Sequence, residues 1–359
     1  MNSIFYAFAA SFLSAALVTL VGLPLIIKAC RYFDYFDMPN ERKVHRKPVP
    51  RLGGLIFMPA AVVGLAVASW VSKMMGTGEF VFGVSTVAMT VGGLIIYLIG
   101  VFDDRYGMKA SHKFVIQTIA ALILPLCNLV ITDLNGIFGL HQIPFVVGYV
   151  LTVLAILTIV NAINLIDGID GLSSGLCILI LLAYAVLLRG NPAIASLDLA
   201  IVGSLVVFWC FNVFGKIGGL KIFMGDAGSL FLGYVCAYMS IKSLMRPIAP
   251  VDCGEEQMLI SITLLLIPVL DVIRVAVQRR LTGHGIFEPD KTHIHHILMN
   301  AGLSMHGALA CILTLFLLIC GINYALWQCH FPMPLIVLTD TAIYALICGV
   351  LLLMGKSDS

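Results

Sequence analysis

The chain is short of charged residues. Only 11% of its 359 residues are Asp, Glu, Lys or Arg, whereas 60% are hydrophobic. A soluble domain carries about a quarter charged residues, so this shortage excludes a soluble globular protein and predicts a polytopic membrane protein. The net charge of +2 is too small to indicate a nucleic-acid-binding protein, and we expect no nucleic acid among its partners.

Cysteine pairs and separate soluble segments are also missing. None of the ten cysteines forms a CxxC pair, which argues against a zinc or dithiol site. The chain contains no internal repeat and no long polar linker. We therefore expect residues 1–359 to form one integral membrane domain.

Long apolar segments account for most of the chain. A membrane-spanning helix needs about twenty predominantly apolar residues. The sequence predicts an all-α polytopic membrane protein with about eleven transmembrane helices. The eighth is the weakest candidate, because it is short and rich in Gly and Ser. The predicted spans are 4–27, 52–72, 81–101, 114–131, 143–163, 172–188, 194–214, 228–245, 257–277, 307–326 and 333–354.

The distribution of basic residues predicts the orientation. If the N-terminus lies outside, 17 of the 21 Lys and Arg residues fall in cytoplasmic connections or the tail. Such connections are enriched in Lys and Arg, so we expect an outer N-terminus and a cytoplasmic C-terminus. The Asp, Asn and His residues of the motifs described below were not used for this assignment, yet Asp103, Asp104, Asn161, Asn164, Asp167, Asp170, Asp226 and residues 293–296 all lie at the predicted cytoplasmic helix ends or loops.

The segment "GVFDDRYG" places two adjacent carboxylates, Asp103 and Asp104, where the third helix leaves the bilayer. Adjacent carboxylates raise one another's pKa unless a cation compensates. The pair suits one metal-linked carboxylate and one proton acceptor. The alternative is a solvated helix end, paired with Arg105 or Lys109.

In "NAINLIDGIDG", four polar residues recur at every third position: Asn161, Asn164, Asp167 and Asp170. This spacing predicts that they share roughly one face of a helix. Their oxygens are ligands of the kind that Mg²⁺ or a hydrated diphosphate requires. The alternative is a capping and turn role.

In "KIFMGDAGS", Asp226 lies between two glycines at the start of the eighth helix. No GK[ST] follows, so this is not a Walker phosphate loop. The carboxylate is either a helix cap or a metal ligand beside amides that receive phosphate.

The segment "RRLTGHGIFEPDKTHIHH" ends in three histidines, His293, His295 and His296. Their spacing does not suit a single metal ion. With Arg279 and Arg280, they predict a cradle for nucleotide phosphates, against the alternative of a solvated loop. We expect Asp271 and Arg274 to form a structural ion pair.

The basic segment "MPNERKVHRKPVPRLGG" supplies further phosphate contacts at Lys43, His45 and Arg51. Part of its charge is an orientation signal. Lys113, at the start of the fourth helix, lies opposite the aspartates.

Read in order, the motifs resemble those of the polyprenyl-phosphate N-acetylhexosamine-1-phosphate transferases, whose superfamily includes the translocase of peptidoglycan synthesis. The resemblance spans residues 39–303. Within that superfamily, "HIHH" resembles the branch that uses UDP-N-acetylglucosamine, whereas the peptidoglycan enzyme has three consecutive histidines. The segments that carry the match are "PNERKVHRKPVPRLGG", "GVFDDR", "NAINLIDGIDGL", "KIFMGDAGSLFLG" and "PDKTHIHHILMNAGL".

The resemblance implies a role for each matched residue. Asp226, with Asn164, would bind Mg²⁺, for which Mn²⁺ is an alternative. Asp103 or Asp104 would activate the lipid phosphate, and Lys113 would hold diphosphate charge. Asp167, like Asn164, would be a nearby ligand or nucleotide contact, with Asp170 supporting them, and the expected catalytic residues are Asp103, Asp104, Asp167 and Asp170. The remaining expected substrate contacts are Lys43, His45, Arg51, Asn161, Asn164, Asn212, Arg279, Arg280, His293, His295 and His296.

The implied reaction transfers N-acetylglucosamine-1-phosphate from UDP-N-acetylglucosamine to undecaprenyl phosphate and releases UMP. It would initiate a cell-surface polysaccharide, such as O antigen or a teichoic acid linkage unit, at the cytoplasmic face of a bacterial inner membrane. A different UDP-amino sugar, a covalent aspartyl intermediate and a homodimer stay open.

Two other classes fit the sequence less well. An intramembrane prenyltransferase typically spaces its acidic residues four apart rather than three. A transporter needs polar residues near the bilayer midplane, where Asp340 is the main candidate.

Overall fold

The computed structural model of the protein describes residues 2–38, 48–76, 80–215, 218–245, 254–283, 285 and 292–357. In these ranges the chain is almost wholly helical. The single strand pairing is antiparallel, between β1 (Phe36–Asp37) and β2 (Val49–Pro50), and two 3-10 helices cover Gly53–Ile56 and Ile137–Gly139. The α-helices of the described ranges, α1 to α12 in chain order, are Asn2–Tyr32, Phe57–Met74, Val84–Tyr106, Ala110–Leu126, Phe145–Ile166, Leu172–Leu187, Pro192–Phe214, Gly225–Leu244, Gly254–Leu281, Ile294–Asn300, Met305–Gln328 and Met333–Ser357.

The helical membrane fold predicted from the sequence is confirmed in outline. Within the described residues, eight helices are long and apolar enough to cross a membrane, namely α1, α2, α3, α5, α7, α9, α11 and α12. Helices α4 and α6 are apolar but shorter, with 17 and 16 residues. Each of the eleven predicted segments contains a helix. The count of eleven spans and the sidedness of the termini stay predictions.

Helix α8 is the centre of the bundle, which explains its weak apolar signal. Every residue from Ala227 to Ile241 is buried, and the helix packs against α3, α5, α6 and α9. Because its neighbours are helices rather than lipid, α8 does not need a continuous apolar surface. Its small residues instead allow other helices to approach closely.

Two glycines mark close contacts of α8 with α3 and α5. A Cβ atom at Gly100 of α3 would lie 2.4 Å from the Cα atom of Ala227, and one at Gly233 would lie 2.7 Å from the Cα atom of Val160 in α5. Backbone therefore meets backbone at both contacts. They bring the C-terminal ends of α3 and α5 beside the first turn of α8, where the polar motifs converge.

We expect Gly100→Ala to destabilise the protein, because its methyl group would overlap backbone atoms that cannot rotate away. Overpacking of this kind costs roughly 1–3 kcal/mol. The matched control is Gly321→Ala in α11, where nothing lies within 4 Å of the added Cβ atom. Thermal unfolding in detergent should give a lower Tm for Gly100→Ala only. Equal Tm values for the two variants would contradict the close α3–α8 contact.

Candidate active site

The first turn of α8 is capped by a carboxylate from another helix. The Oδ1 atom of Asp104 accepts a hydrogen bond from the backbone N–H of Asp226, and its Oδ2 atom accepts one from Ala227, both at 3.0 Å. Asp104 is only 7% exposed. Both of its oxygens therefore satisfy helix N–H groups that have no partner within the helix. In this structure Asp104 positions Asp226, while its expected action on the lipid phosphate stays a prediction.

Backbone hydrogen bonds join the residues just before α8 to the start of the first 3-10 helix. The N–H groups of Gly53 and Gly54 donate to the carbonyl oxygens of Phe223 and Met224, at 2.9 and 2.7 Å. Gly225 has φ +73°, and a Cβ atom there would lie 2.3 Å from the carbonyl oxygen of Arg51, so only glycine fits. This pairing holds Arg51 beside the carboxylates.

Arg51 lies between two acidic groups. Its Nε atom is 3.9 Å from Oδ1 of Asp104, and its Nη1 atom is 4.0 Å from Oδ1 of Asp37. Its side chain keeps 30% exposure, so the guanidinium faces both the aspartates and the adjoining cavity. The structure thus brings Arg51 to the site, as the sequence predicts.

Asp226 is surrounded by groups that fix its orientation. Its Oδ1 atom lies 3.2 Å from Nζ of Lys113, and the Nδ2 group of Asn164 donates to the same oxygen at 2.5 Å. Asn164 also donates to Oγ of Ser229 at 2.8 Å. Because Asn164 turns its NH₂ group to the carboxylate, it orients Asp226 in this structure. Its predicted role as a metal ligand stays a prediction.

Asp103 holds Lys113 in place. Its Oδ2 atom accepts a hydrogen bond from Nζ of Lys113 at 2.8 Å, and its Oδ1 atom accepts the N–H of Met108 at 2.6 Å. Lys113 therefore bridges Asp103 and Asp226. Neither Asp103 nor Lys113 lines the cavity described below, although both are one contact away from Asp226.

The four polar residues of "NAINLIDGIDG" do not share one helical face, because α5 ends at Ile166. Asn161 turns away from the aspartates and donates to Oε1 of Gln117 at 2.9 Å. Asp167 forms the C-cap, and Asp170 lies in the turn before α6. The prediction of a single helical face is thus wrong beyond Asn164.

Asp170 forms a buried ion pair with Lys221, a residue that sequence reasoning did not single out. Both side chains are at most 10% exposed, and the Nζ atom of Lys221 lies 5.4 Å from the centre of the Phe223 ring. The sequence did offer a signal for this pair: Lys221 is a basic residue just before "MGDAGS", at the predicted cytoplasmic helix ends that also carry the aspartates. The pair gives Asp170 a structural partner.

A cavity of about 610 Å³ opens at this end of the bundle. Asp167 and Asp226 line it on one side, together with Arg51 and Lys221. Burial, together with the negative charges of Asp226, Asp170 and Asp104, raises the pKa of Asp167 to about 8. Among the described residues, no hydrogen bond or ion pair occupies this carboxyl group. Residues at the cavity that sequence reasoning missed are Asp37, Phe223, Ser229 and His306.

Asn212 also lines the cavity, but both polar groups of its side chain are hydrogen-bonded to the backbone. Its Oδ1 atom accepts the N–H of Gly171 at 2.7 Å, and its Nδ2 group donates to the carbonyl oxygen of Ile222 at 2.9 Å. It thereby joins the turn after α5 to the segment before α8. The predicted contact with substrate would have to use the little surface that remains, since Asn212 is 5% exposed.

The histidine cluster is helical rather than a solvated loop, because α10 begins at Ile294. Of the three histidines, only His296 lines the cavity. His293 is paired through Nδ1 with Oδ2 of Asp271 at 2.7 Å, and the expected Asp271–Arg274 ion pair is present at 2.8 Å. Burial and the neighbouring histidines lower the pKa of His295 to about 3. His295 is therefore a neutral, buried group.

The structure does not bring the predicted phosphate contacts Arg279 and Arg280 to the cavity. Arg279 is buried in α9 and Arg280 is exposed at its end, and neither lines the cavity. Lys43 and His45 lie outside the described residues. Their predicted phosphate contacts stay predictions.

The donor set of the cavity fits a magnesium ion held partly by substrate. Mg²⁺ is usually bound by one or two carboxylates plus phosphate oxygens and water. Within the described ranges, no three His, Cys, Asp or Glu side chains form a metal-binding group. Asp167 and Asp226, which face one cavity, match the smaller donor number. Asp104 and Asp170 also line the cavity, but they are bonded to the amides of α8 and to Lys221. The predicted ligand pair of Asp226 with Asn164 stays a prediction.

An acidic and basic cavity at one end of an apolar helical bundle defines a membrane enzyme with anionic substrates, and comparisons identify its family. Residues 86–244 match Glycosyl transferase family 4. The chain is 36% identical over 304 residues to a protein of Bacillus subtilis (strain 168) described as a probable undecaprenyl-phosphate N-acetylglucosaminyl 1-phosphate transferase. This match covers 82% of the chain and 78% of that protein.

Two less similar relatives have names that describe the same type of transferase. Identity is 31% over 318 residues to the decaprenyl-phosphate N-acetylglucosaminephosphotransferase of Mycolicibacterium smegmatis, covering 82% of the chain and 76% of the relative. It is 26% over 329 residues to the undecaprenyl-phosphate alpha-N-acetylglucosaminyl 1-phosphate transferase of Salmonella typhi, covering 89% and 84%. The chain belongs to the polyprenyl-phosphate N-acetylhexosamine-1-phosphate transferase family. It is a multi-pass bacterial membrane protein and a phosphoglycosyltransferase.

We expect Lys221→Met to destabilise the protein, because it leaves the Asp170 carboxylate buried without its cation. Removing one partner of a buried pair costs about 3–5 kcal/mol. Adding Asp170→Asn should restore most of the lost Tm. Lys109→Met, at an exposed position, is the control. The pairing would be contradicted if Lys221→Met had the same Tm as Lys109→Met. It would also be contradicted if the double variant had a Tm no higher than that of Lys221→Met.

Proposed function

We propose that the protein transfers N-acetylglucosamine-1-phosphate from UDP-N-acetylglucosamine to undecaprenyl phosphate and releases UMP. The observation that carries this proposal is the cavity in which Asp167 and Asp226 meet Arg51 and Lys221 at one end of an apolar bundle. Its volume falls in the range of roughly 300–1,000 Å³ that is usual for small-molecule sites. The names of the Bacillus and Salmonella relatives support the same sugar and lipid carrier.

The position of the cavity suits two substrates of different origin. A polyprenyl phosphate is confined to the bilayer with its phosphate at the interface, whereas a nucleotide sugar arrives from water. A site formed by the ends of α3 and α5 and the start of α8 is open to both. We assign this end to the cytoplasmic face of the inner membrane, because Lys and Arg concentrate in the connections at the same helix ends.

The charged residues would allow two anionic phosphates to meet. Arg51 and Lys221 would compensate the diphosphate of the nucleotide, with His296 at the same wall. Lys113, held between Asp103 and Asp226 and one contact away from the cavity, would add positive charge beside Asp226. Asp167 and Asp226 would hold Mg²⁺. When bound, this ion would neutralise phosphate charge and polarise the phosphoryl oxygen.

The chemical step would need little help from a base. An oxygen of the lipid phosphate attacks the β-phosphorus, a new P–O bond forms, and the bond to the UMP oxygen breaks with its electron pair on UMP. A phosphomonoester has a second pKa of about 6, so the lipid phosphate is largely a dianion at neutral pH. The residues of the site would therefore act mainly by positioning and by fixed charge.

The sidedness can be measured with single cysteines in a cysteine-free background. We expect Arg189→Cys to react with an impermeant maleimide in intact cells, and Lys109→Cys to react only after the membrane is opened. Both positions are exposed, so access to reagent is the only difference. Labelling of Lys109→Cys in intact cells would contradict a cytoplasmic site.

The reaction itself is tested by UMP release from purified protein with undecaprenyl phosphate, Mg²⁺ and a panel of UDP-sugars. We expect UDP-N-acetylglucosamine to be the preferred donor. Asp226→Asn should reduce turnover by roughly a hundredfold or more, because an amide is a poorer ligand for a hard cation. Asp34→Asn is the control, since it removes the same charge at an exposed residue that does not line the cavity.

Three outcomes would overturn parts of the proposal. Preference for another UDP-amino sugar would change the donor but keep the reaction. Release of pyrophosphate from a prenyl diphosphate, without UMP, would indicate a prenyltransferase. Near-normal turnover of Asp226→Asn would remove Asp226 from the proposed metal site.

A further inference from the structure

The ring of His295 lies directly against the backbone of Gly168. A Cβ atom at Gly168 would be 2.1 Å from Nε2 and 2.4 Å from Cε1 of this ring. Gly168 follows Asp167, the cavity-lining carboxyl group without a partner among the described residues. The edge of one imidazole therefore sets where the chain runs immediately after Asp167.

The His295 ring is itself held in a stack. The rings of His293 and His295 are parallel within 4°, with centres 5.9 Å apart, and the ring of His296 lies 4.3 Å from His295 on another side. His295 is 1% exposed, and its Nδ1 atom has no hydrogen-bond partner among the described residues. The ring therefore contributes through its shape and packing.

A buried carboxylate anchors this stack to two other helices. Asp271 of α9 accepts the N–H of Ile294 at 3.0 Å, pairs with His293, and accepts the hydroxyl of Tyr344 in α12 at 3.1 Å. The start of α10 is thus fixed to α9 and α12. His295, in the first turn of α10, contacts Gly168 in the turn after α5.

We infer that His295 is a positioning residue for Asp167, which it acts on through Gly168, and that His296 is the histidine of this cluster that meets the nucleotide sugar. The inference rests on the proposed function and assigns the adjacent histidines different roles. His295 sets the distance between Asp167 and Asp226 across the cavity. His296, which lines the cavity, contributes to substrate binding.

Substitutions at the two positions should be coupled. Gly168 does not have a positive φ, so alanine meets no backbone strain there and its cost comes from the His295 ring. Shortening His295 to alanine removes the atoms that the new methyl group would strike. Two substitutions that each harm the protein should therefore not harm it further in combination.

The test is a double-mutant cycle of Gly168→Ala and His295→Ala, followed by UMP release and by Tm. Each single variant should lower kcat by about tenfold or more, with the KM for UDP-N-acetylglucosamine within about twofold of wild type. Independent effects would multiply to about a hundredfold, whereas we expect the double variant to stay within about threefold of His295→Ala. His296→Ala should instead raise that KM.

Two results would overturn the inference. One is multiplicative losses of kcat in the double variant. The other is a His295→Ala variant that raises the KM with kcat unchanged, which would make His295 a nucleotide contact. If Gly168→Ala is too unstable to assay, recovery of its Tm by His295→Ala tests the same contact. Absence of UMP release from the wild type would refute the proposed function, while the Tm cycle would still decide the packing.

Discussion

The capping of α8 by Asp104 is the contact on which the site depends. The first N–H groups of a buried helix need acceptors from outside the helix, and a carboxylate also interacts favourably with the positive end of the helix dipole. Asp104 meets both requirements. It draws the end of α3 onto the start of α8, with glycine at the crossing, and thereby turns Asp226 towards Lys113, Asn164 and the cavity.

This cap divides the aspartates by their partners. Asp103, Asp104 and Asp170 are matched with Lys113, the α8 amides and Lys221 respectively. Asp104 and Asp170 line the cavity as well, but their oxygens are bonded within the protein, so Asp167 and Asp226 are the two that we propose for a cation. Several carboxylates can share so small a volume because three of them are satisfied within the protein, which leaves two for a cation and its phosphates. Burial, and after it the charges of Asp226, Asp170 and Asp104, raise the pKa of Asp167.

The sequence was sufficient for the helices and for the motifs, but it could not assign partners. Apolar length located α1 to α9, α11 and α12, and adjacent aspartates marked the right helix ends. It could not reveal that Asp104 caps a helix 122 residues later, or that Lys221 pairs with Asp170. Periodicity failed at Asp167 because it does not report where α5 ends. It also could not show that His295 is buried, because burial depends on how α10 meets α9 and α12.

The division of the carboxylates is tested most directly by locating a bound ion. A crystal of the protein grown with Mn²⁺ and UDP-N-acetylglucosamine can be measured at the manganese absorption edge. The account predicts one anomalous peak in contact with the carboxylates of Asp167 and Asp226. A peak at Asp103 and Asp104 would contradict it, because those oxygens would then be bound to metal rather than to Lys113 and to the amides of α8.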